Sequence, residues 1–181
     1  MLAALALGWP LLLMRALFGM TMGLIAFAVP GWSPYALLLL FVVFAFGDGV
    51  LAVLLVAAAR PERGLGVLVS EAVIRLGVAL IALLFPDATA LMLPYVFGIW
   101  AFASGAAALA VARALSDEMK GEWPLPLAGT TSIICGLFAF IVPRSFDPRW
   151  IIGPYAVLFG FTLFALSMRL RQLAREIAPD L

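Results

Sequence analysis

The chain has no histidine and one cysteine, and only 12% of its 181 residues are charged. Without histidine it lacks the side chain that most often titrates between about pH 5 and 8 and most often ligates transition metals. Cys135 cannot form an internal disulfide, and its place in the middle of an apolar run marks it as an inert, hydrophobic thiol. Gly-rich phosphate loops, HExxH, CxxC and serine-elbow motifs are all missing. Asp117, Glu118 and Glu122 share one short connector, which cannot supply the convergent geometry of an active site. A formal net charge of +1 gives no general attraction for nucleic acid. The expectation is a protein with no catalytic residues, no cofactor and no metal, and no nucleic-acid partner.

What is abundant is apolar surface. The chain is 66% hydrophobic with a mean hydropathy of +1.18, against roughly half apolar residues in soluble domains. Lipid is therefore the expected solvent. Apolar runs of about 20 residues cross a hydrocarbon core of roughly 30 Å as helices. Six such spans are expected: Trp9 to Val29, Tyr35 to Ala59, Leu65 to Phe85, Ala88 to Ala112, Trp123 to Val142 and Trp150 to Met168. Nothing alternates like a barrel strand, so the expected class is all-α and polytopic, with residues 1–181 forming one integral membrane domain. Met1 to Met14 lacks a basic flank and the apolar run resumes after Arg15, so this stretch reads as retained rather than as a cleaved signal.

One pattern is written three times. The first helices end Phe27-Ala28-Val29-Pro30, Leu84-Phe85-Pro86 and Ile141-Val142-Pro143, with successive prolines 56 and 57 residues apart. The second helices carry Phe44-Ala45 then Gly49, Trp100-Ala101 then Gly105, and Tyr155-Ala156 then Gly160. Recurrence at this period marks a repeated supersecondary unit, with repeats at 9–60, 65–113 and 123–171. Two crossings per unit make the repeats parallel, which predicts a pseudo-threefold axis along the membrane normal. The Ala/Gly pairs, with Gly19 and Gly23 in the first helix and Ser132 and Gly136 in the fifth, are small residues one turn apart. These permit the close backbone approach on which helix association in lipid relies. The prolines are expected to end helices before tight external turns.

Basic residues set the expected orientation. Arg60, Arg63, Arg113, Lys120, Arg169, Arg171 and Arg175 lie on one side and only Arg144 and Arg149 on the other, which places both termini in the cytoplasm. Trp9, Trp32, Trp123 and Trp150 near span ends suit the interfacial aromatic belt.

Charges inside the spans are the main functional signal. Arg15 and Glu71 each lie 15 residues before their repeat's proline, which predicts similar depth. Arg75 follows Glu71 by four residues on one helix face. Asp48 lies 12 residues before Arg60 and Arg75 lies 12 after Arg63, so each is about 18 Å from its end of the hairpin. An unpaired charge at such depth costs several kcal/mol. The expectation is a neutral cluster of Asp48 and Glu71 against Arg15 and Arg75. Such a cluster either locks the repeats in register or contacts a proton or solute, and the residues alone leave both readings open.

Three two-helix repeats, Arg15 matched by Glu71, Asp48-Gly49 matched by Ser104-Gly105, and a proline at each external corner together resemble the HdeD-like bacterial acid-resistance membrane proteins. The likeness runs from Trp9 to Arg171, and repeat three departs from it with Ala128 and Phe159 where the other repeats are polar. The resemblance implies a bacterial inner-membrane protein linked to acid-stress tolerance, with no catalytic residues to carry over. The expected function is thus non-enzymatic, exerted in the lipid bilayer through the helix bundle or through protein partners or self-association. The alternative is a small channel or transporter for protons or a small solute, with Asp48, Glu71 and Arg75 on its path.

Overall fold

Lipid offers no partner for a backbone N–H or C=O, so a chain this apolar satisfies its backbone within helices. The computed structural model describes residues 8–29, 31–59, 65–114, 124–142 and 146–177, and these fold as seven helices. They are α1 (Trp9–Ala28), α2 (Pro34–Ala59), α3 (Leu65–Leu84), α4 (Pro86–Leu91), α5 (Leu93–Ala114), α6 (Pro124–Ile141) and α7 (Arg149–Ile177). Five of them, α1, α2, α3, α5 and α7, are long and apolar enough to cross a membrane. The remaining expected crossing falls on α6, a shorter helix of 18 residues.

The faces turned away from the bundle are apolar too. Leu39, Val43, Phe46 and Val50 form an exposed stripe along α2, and Val69, Val73 and Leu80 do the same on α3. Water would select polar residues there, whereas hydrocarbon does not.

Two boundaries differ from those expected. The fourth span does not start as one helix at Ala88: Pro86 opens the short α4, which ends at Met92 (φ −108°, ψ 17°) before α5 begins. Pro94 is the cause, because it has no N–H to donate and its ring disfavours a helical turn running through Ala90 and Leu93. Pro86 thus starts a helix, and the corner there is a helical turn rather than a tight one. The last helix runs nine residues past Met168, to Ile177, because Arg169–Ile177 contains neither glycine nor proline to stop it. Pro30 and Pro143 lie outside the described residues, as do Arg60, Arg63, Lys120, Trp123, Arg144 and the 116–122 connector. Gly31, after the first corner, takes φ +71°, a conformation that suits glycine.

The helices pack as a ring: α1 against α2, α2 against α3, α3 against α5, α5 against α6, α6 against α7, and α7 back against α1. The most extensive pairings are α7 with α1, α5 with α6 and α2 with α3, each joining the second helix of one expected repeat to the first helix of another. Glycines carry this approach. A Cβ on Gly23 would meet the Gly153 carbonyl oxygen at 2.8 Å, and one on Gly160 the Ala16 oxygen at 2.7 Å. A Cβ on Gly105 would meet the Gly129 oxygen at 2.6 Å, and one on Gly136 the Gly98 oxygen at 2.8 Å. Ala45, Ala101 and Ala156 are all buried. At the end of the ring that holds the start of α1, Ser167 donates to the Trp9 carbonyl oxygen at 3.0 Å, and the Arg171 guanidinium lies 5.0 Å from the Trp9 ring centre.

Candidate functional site

α1, α2 and α3 bring four charged side chains together inside the bundle. Arg15 on α1, Asp48 on α2, and Glu71 and Arg75 on α3 are all buried, Arg75 completely. Arg15 grips Asp48 with two parallel bonds, Nε to Oδ1 at 2.9 Å and Nη2 to Oδ2 at 3.3 Å. This is the fork-to-carboxylate geometry that arginine favours. Arg75 Nη1 donates to the same carboxylate at Oδ2, the oxygen that Arg15 Nη2 also reaches. Within α3, Arg75 donates from Nη2 to Glu71 Oε1 at 2.6 Å and from Nε to the same oxygen at 3.1 Å. Arg15 Nη2 closes the circuit at 3.6 Å from Glu71 Oε1. Two positive and two negative charges cancel, so the network is neutral as a whole and each member has partners of opposite sign.

Helix geometry accounts for the assembly. Glu71 and Arg75 are four apart and stack on one face of α3. Arg75 stands 11 residues before Pro86, where the first helix of repeat one has Gly19 and that of repeat three has Ser132, each 11 before its proline. A long side chain therefore occupies a position given to a small one elsewhere. In keeping with this, α2 and α3 pair less extensively than α7 with α1 or α5 with α6. Gly49 supplies room for it, with its Cβ position only 3.3 Å from Arg75 Cβ.

Aromatic rings seal the site. The Arg75 guanidinium lies 5.4 Å from the ring centres of both Trp100 and Phe159, within cation–π range. Phe44, Trp100 and Tyr155 meet edge to face, with centres 5.4 Å apart for Phe44 and Trp100 and 5.7 Å for Trp100 and Tyr155. A second layer one turn away adds Phe41, Phe97 and Ile152. Ser132 donates to the Ala128 carbonyl oxygen at 2.8 Å, so its single hydrogen is used and Tyr155 must donate across the 3.1 Å contact between their hydroxyls. Trp100 Nε1 and Ser104 Oγ are buried without a hydrogen-bond partner among the described residues.

The packing residues separate into three interfaces. Gly19 and Gly23 face Ala156, Gly160 and Gly153; Gly105 and Gly136 face Gly129 and Gly98; Gly49 faces Arg75 and Leu76. Ala101 is buried on the same helix as Gly105, and Ser132 is buried one turn from Gly136. Sequence reasoning passed over the aromatic layers and over Gly98, Gly129 and Gly153. The signal for the rings was available: an aromatic residue precedes the alanine in all three repeats. Half-buried Cys135 sits on α6 outside the charged network. Trp32 is tied down by its Nε1, which donates to the Ala26 oxygen at 3.1 Å, and Trp150 packs edge to face on Phe27.

Residues 70–141 match the family model described as "Short repeat of unknown function (DUF308)". The match runs from the second turn of α3 to the end of α6 and takes in Glu71, Arg75, Ser104 and Ser132, but neither Arg15 nor Asp48. No curated protein and no solved structure matches the chain. Its long apolar helices and this family match are those of a multi-pass membrane-type helical protein.

Proposed function

We propose that the chain is a non-enzymatic protein of the bacterial inner membrane that serves acid-stress tolerance through its closed helix bundle or through protein partners. In this reading it makes six crossings, as three parallel two-helix repeats around a pseudo-threefold axis, with both termini in the cytoplasm. At 18 residues α6 is about 27 Å long, close to the hydrocarbon thickness, which supports counting it as a crossing. The three most extensive helix pairings join equivalent positions of successive repeats, which supports the threefold arrangement. The link to acid stress rests on the likeness to HdeD-like proteins.

One observation carries the functional reading: the four charges are neutral as a set, bonded to one another, and covered by layers of aromatic rings. A network closed in this way fixes the register of three helices without presenting a charge to a passing ion. A second reading, a channel or transporter for protons or a small solute through Asp48, Glu71 and Arg75, draws on the unpartnered Trp100 Nε1 and Ser104 Oγ beside the cluster. Proteoliposomes with a trapped pH dye separate the two. The lock predicts that an imposed pH gradient decays no faster than in protein-free vesicles. Protein-dependent decay that slows in Asp48→Asn would replace the lock with the pathway.

A further inference from the structure

A cavity of about 600 Å³ opens at the end of the bundle where α2, α4, α5 and α7 begin, opposite the end that holds Trp9 and Ser167. Its volume falls within the roughly 300–1,000 Å³ of small-molecule sites. Leu37 and Leu93, both buried, are at its base and separate it from the aromatic layers below. Its walls hold four aromatic side chains, Trp32, Tyr35, Tyr95 and Phe146, and two carboxylates, Asp87 and Asp147.

The two acids are not equivalent. Asp147 accepts from the Arg149 backbone N–H at 3.0 Å, and its Oδ2 forms an ion pair 2.8 Å from Arg149 Nε, so its charge is neutralised at the start of α7. Among the described residues Asp87 accepts only a neutral bond, from the Tyr35 hydroxyl at 2.6 Å, and no cation pairs with it. That bond fixes the carboxylate between α2 and α4. The Trp32 ring is likewise fixed by its bond to Ala26. The cavity thus presents several aromatic rings, one negative charge left unpaired among the described residues, and an apolar base. Aromatic faces and a carboxylate attract the same kind of guest, an organic ammonium cation.

We propose that this cavity binds an organic ammonium ion. The guest is either a free amine or quaternary ammonium at the outer face, or the ammonium headgroup of a phospholipid reaching in from the adjacent leaflet. The site goes beyond the structural lock proposed above and does not depend on it.

Calorimetric titration of the chain in a maltoside detergent, with choline as the probe and its uncharged carbon isostere as the control, tests the site. Choline should bind about three- to tenfold more tightly than the isostere, the factor expected of cation–π contact beside a solvent-exposed carboxylate. Asp87→Asn should weaken choline by a similar factor, and Tyr95→Leu should weaken it by about three- to tenfold. Both substituted residues lie outside the buried core, and unchanged melting of the variants would show that the fold is intact. Equal affinity for choline and its isostere, no choline binding at all, or unaltered affinity in folded Asp87→Asn would overturn the proposal. Nanodiscs then identify the source. Loss of choline binding when phosphatidylethanolamine is added to anionic lipid assigns the site to the headgroup, and unchanged binding assigns it to a free cation.

Discussion

Arg75 is the most deeply buried of the four charges and touches both acids, so it bears most on the network. Replacing it with leucine would leave two carboxylates with one guanidinium, and an uncompensated buried charge costs about 3–5 kcal/mol. Removing Glu71 as well restores neutrality and leaves the two-bond Arg15–Asp48 pair intact. Arg75→Leu should therefore be strongly destabilised in thermal melts in detergent, and Arg75→Leu with Glu71→Leu should recover most of the loss. Losses that simply add would show that the charges do not act as a unit. The depth of these groups is written in the sequence, because position before a repeated proline converts directly into height along a helix. What that spacing cannot carry is which oxygen meets which nitrogen, or that Trp100 and Phe159 cover the guanidinium, since both depend on rotation of α5 and α7 about their own axes.

Between helices the decisive atoms are backbone atoms. At Gly105 an added methyl would stand 2.6 Å from the Gly129 carbonyl oxygen and 2.9 Å from the Ile133 nitrogen, neither of which can move without displacing α6. Gly105→Ala should lower stability by about 1–3 kcal/mol through overpacking. Gly77 on α3 has open space at its Cβ, so Gly77→Ala should raise stability by about 0.5–1 kcal/mol through helix propensity alone. Opposite signs in the two melting shifts are the expected result, and a loss at both positions would mean that propensity and packing have been misassigned. The spacing of small residues pointed to close contacts, but not to their partners. In water an apolar stripe separates the inner face of a helix from the outer, whereas here Leu39 and Phe46 face outward and Phe41 and Phe44 inward with the same hydrophobicity. That loss of contrast is why the recurring aromatic before each alanine did not show that its ring faces inward, and why the cavity and the role of Gly98 were not legible. The break at Met92 had a local cause in Pro94, yet Pro154 lies within α7 without ending it, so proline alone does not fix such boundaries.

Closure of the ring by α7 on α1 makes the order of the helices along the chain less important than their order around the bundle. Each of the three strongest interfaces joins a second helix to a first helix, and the α7–α1 interface does so without a connecting loop. A chain opened between Ala59 and Leu65 and rejoined from Ile177 to Gly8 keeps every one of these contacts. The new ends lie at the same end of the bundle as Trp9, because α2 finishes and α3 starts there. α7 extends ten residues past Ser167, about 15 Å beyond its contact with Trp9, and a Gly/Ser linker of about ten residues has a root-mean-square span of roughly 17 Å. The permuted chain should therefore elute as one species in detergent and melt within about 4 °C of the parent, a shift of about 1 kcal/mol for a domain of this size. Deleting α7 removes the most extensive pairing and leaves Gly19 and Gly23 without the backbone they approach, so that variant should lose cooperative melting. If the permuted chain fails while the α7 deletion survives, stability resides in the loop-connected pairs α2–α3 and α5–α6, and closure of the ring by α7 on α1 is secondary to them.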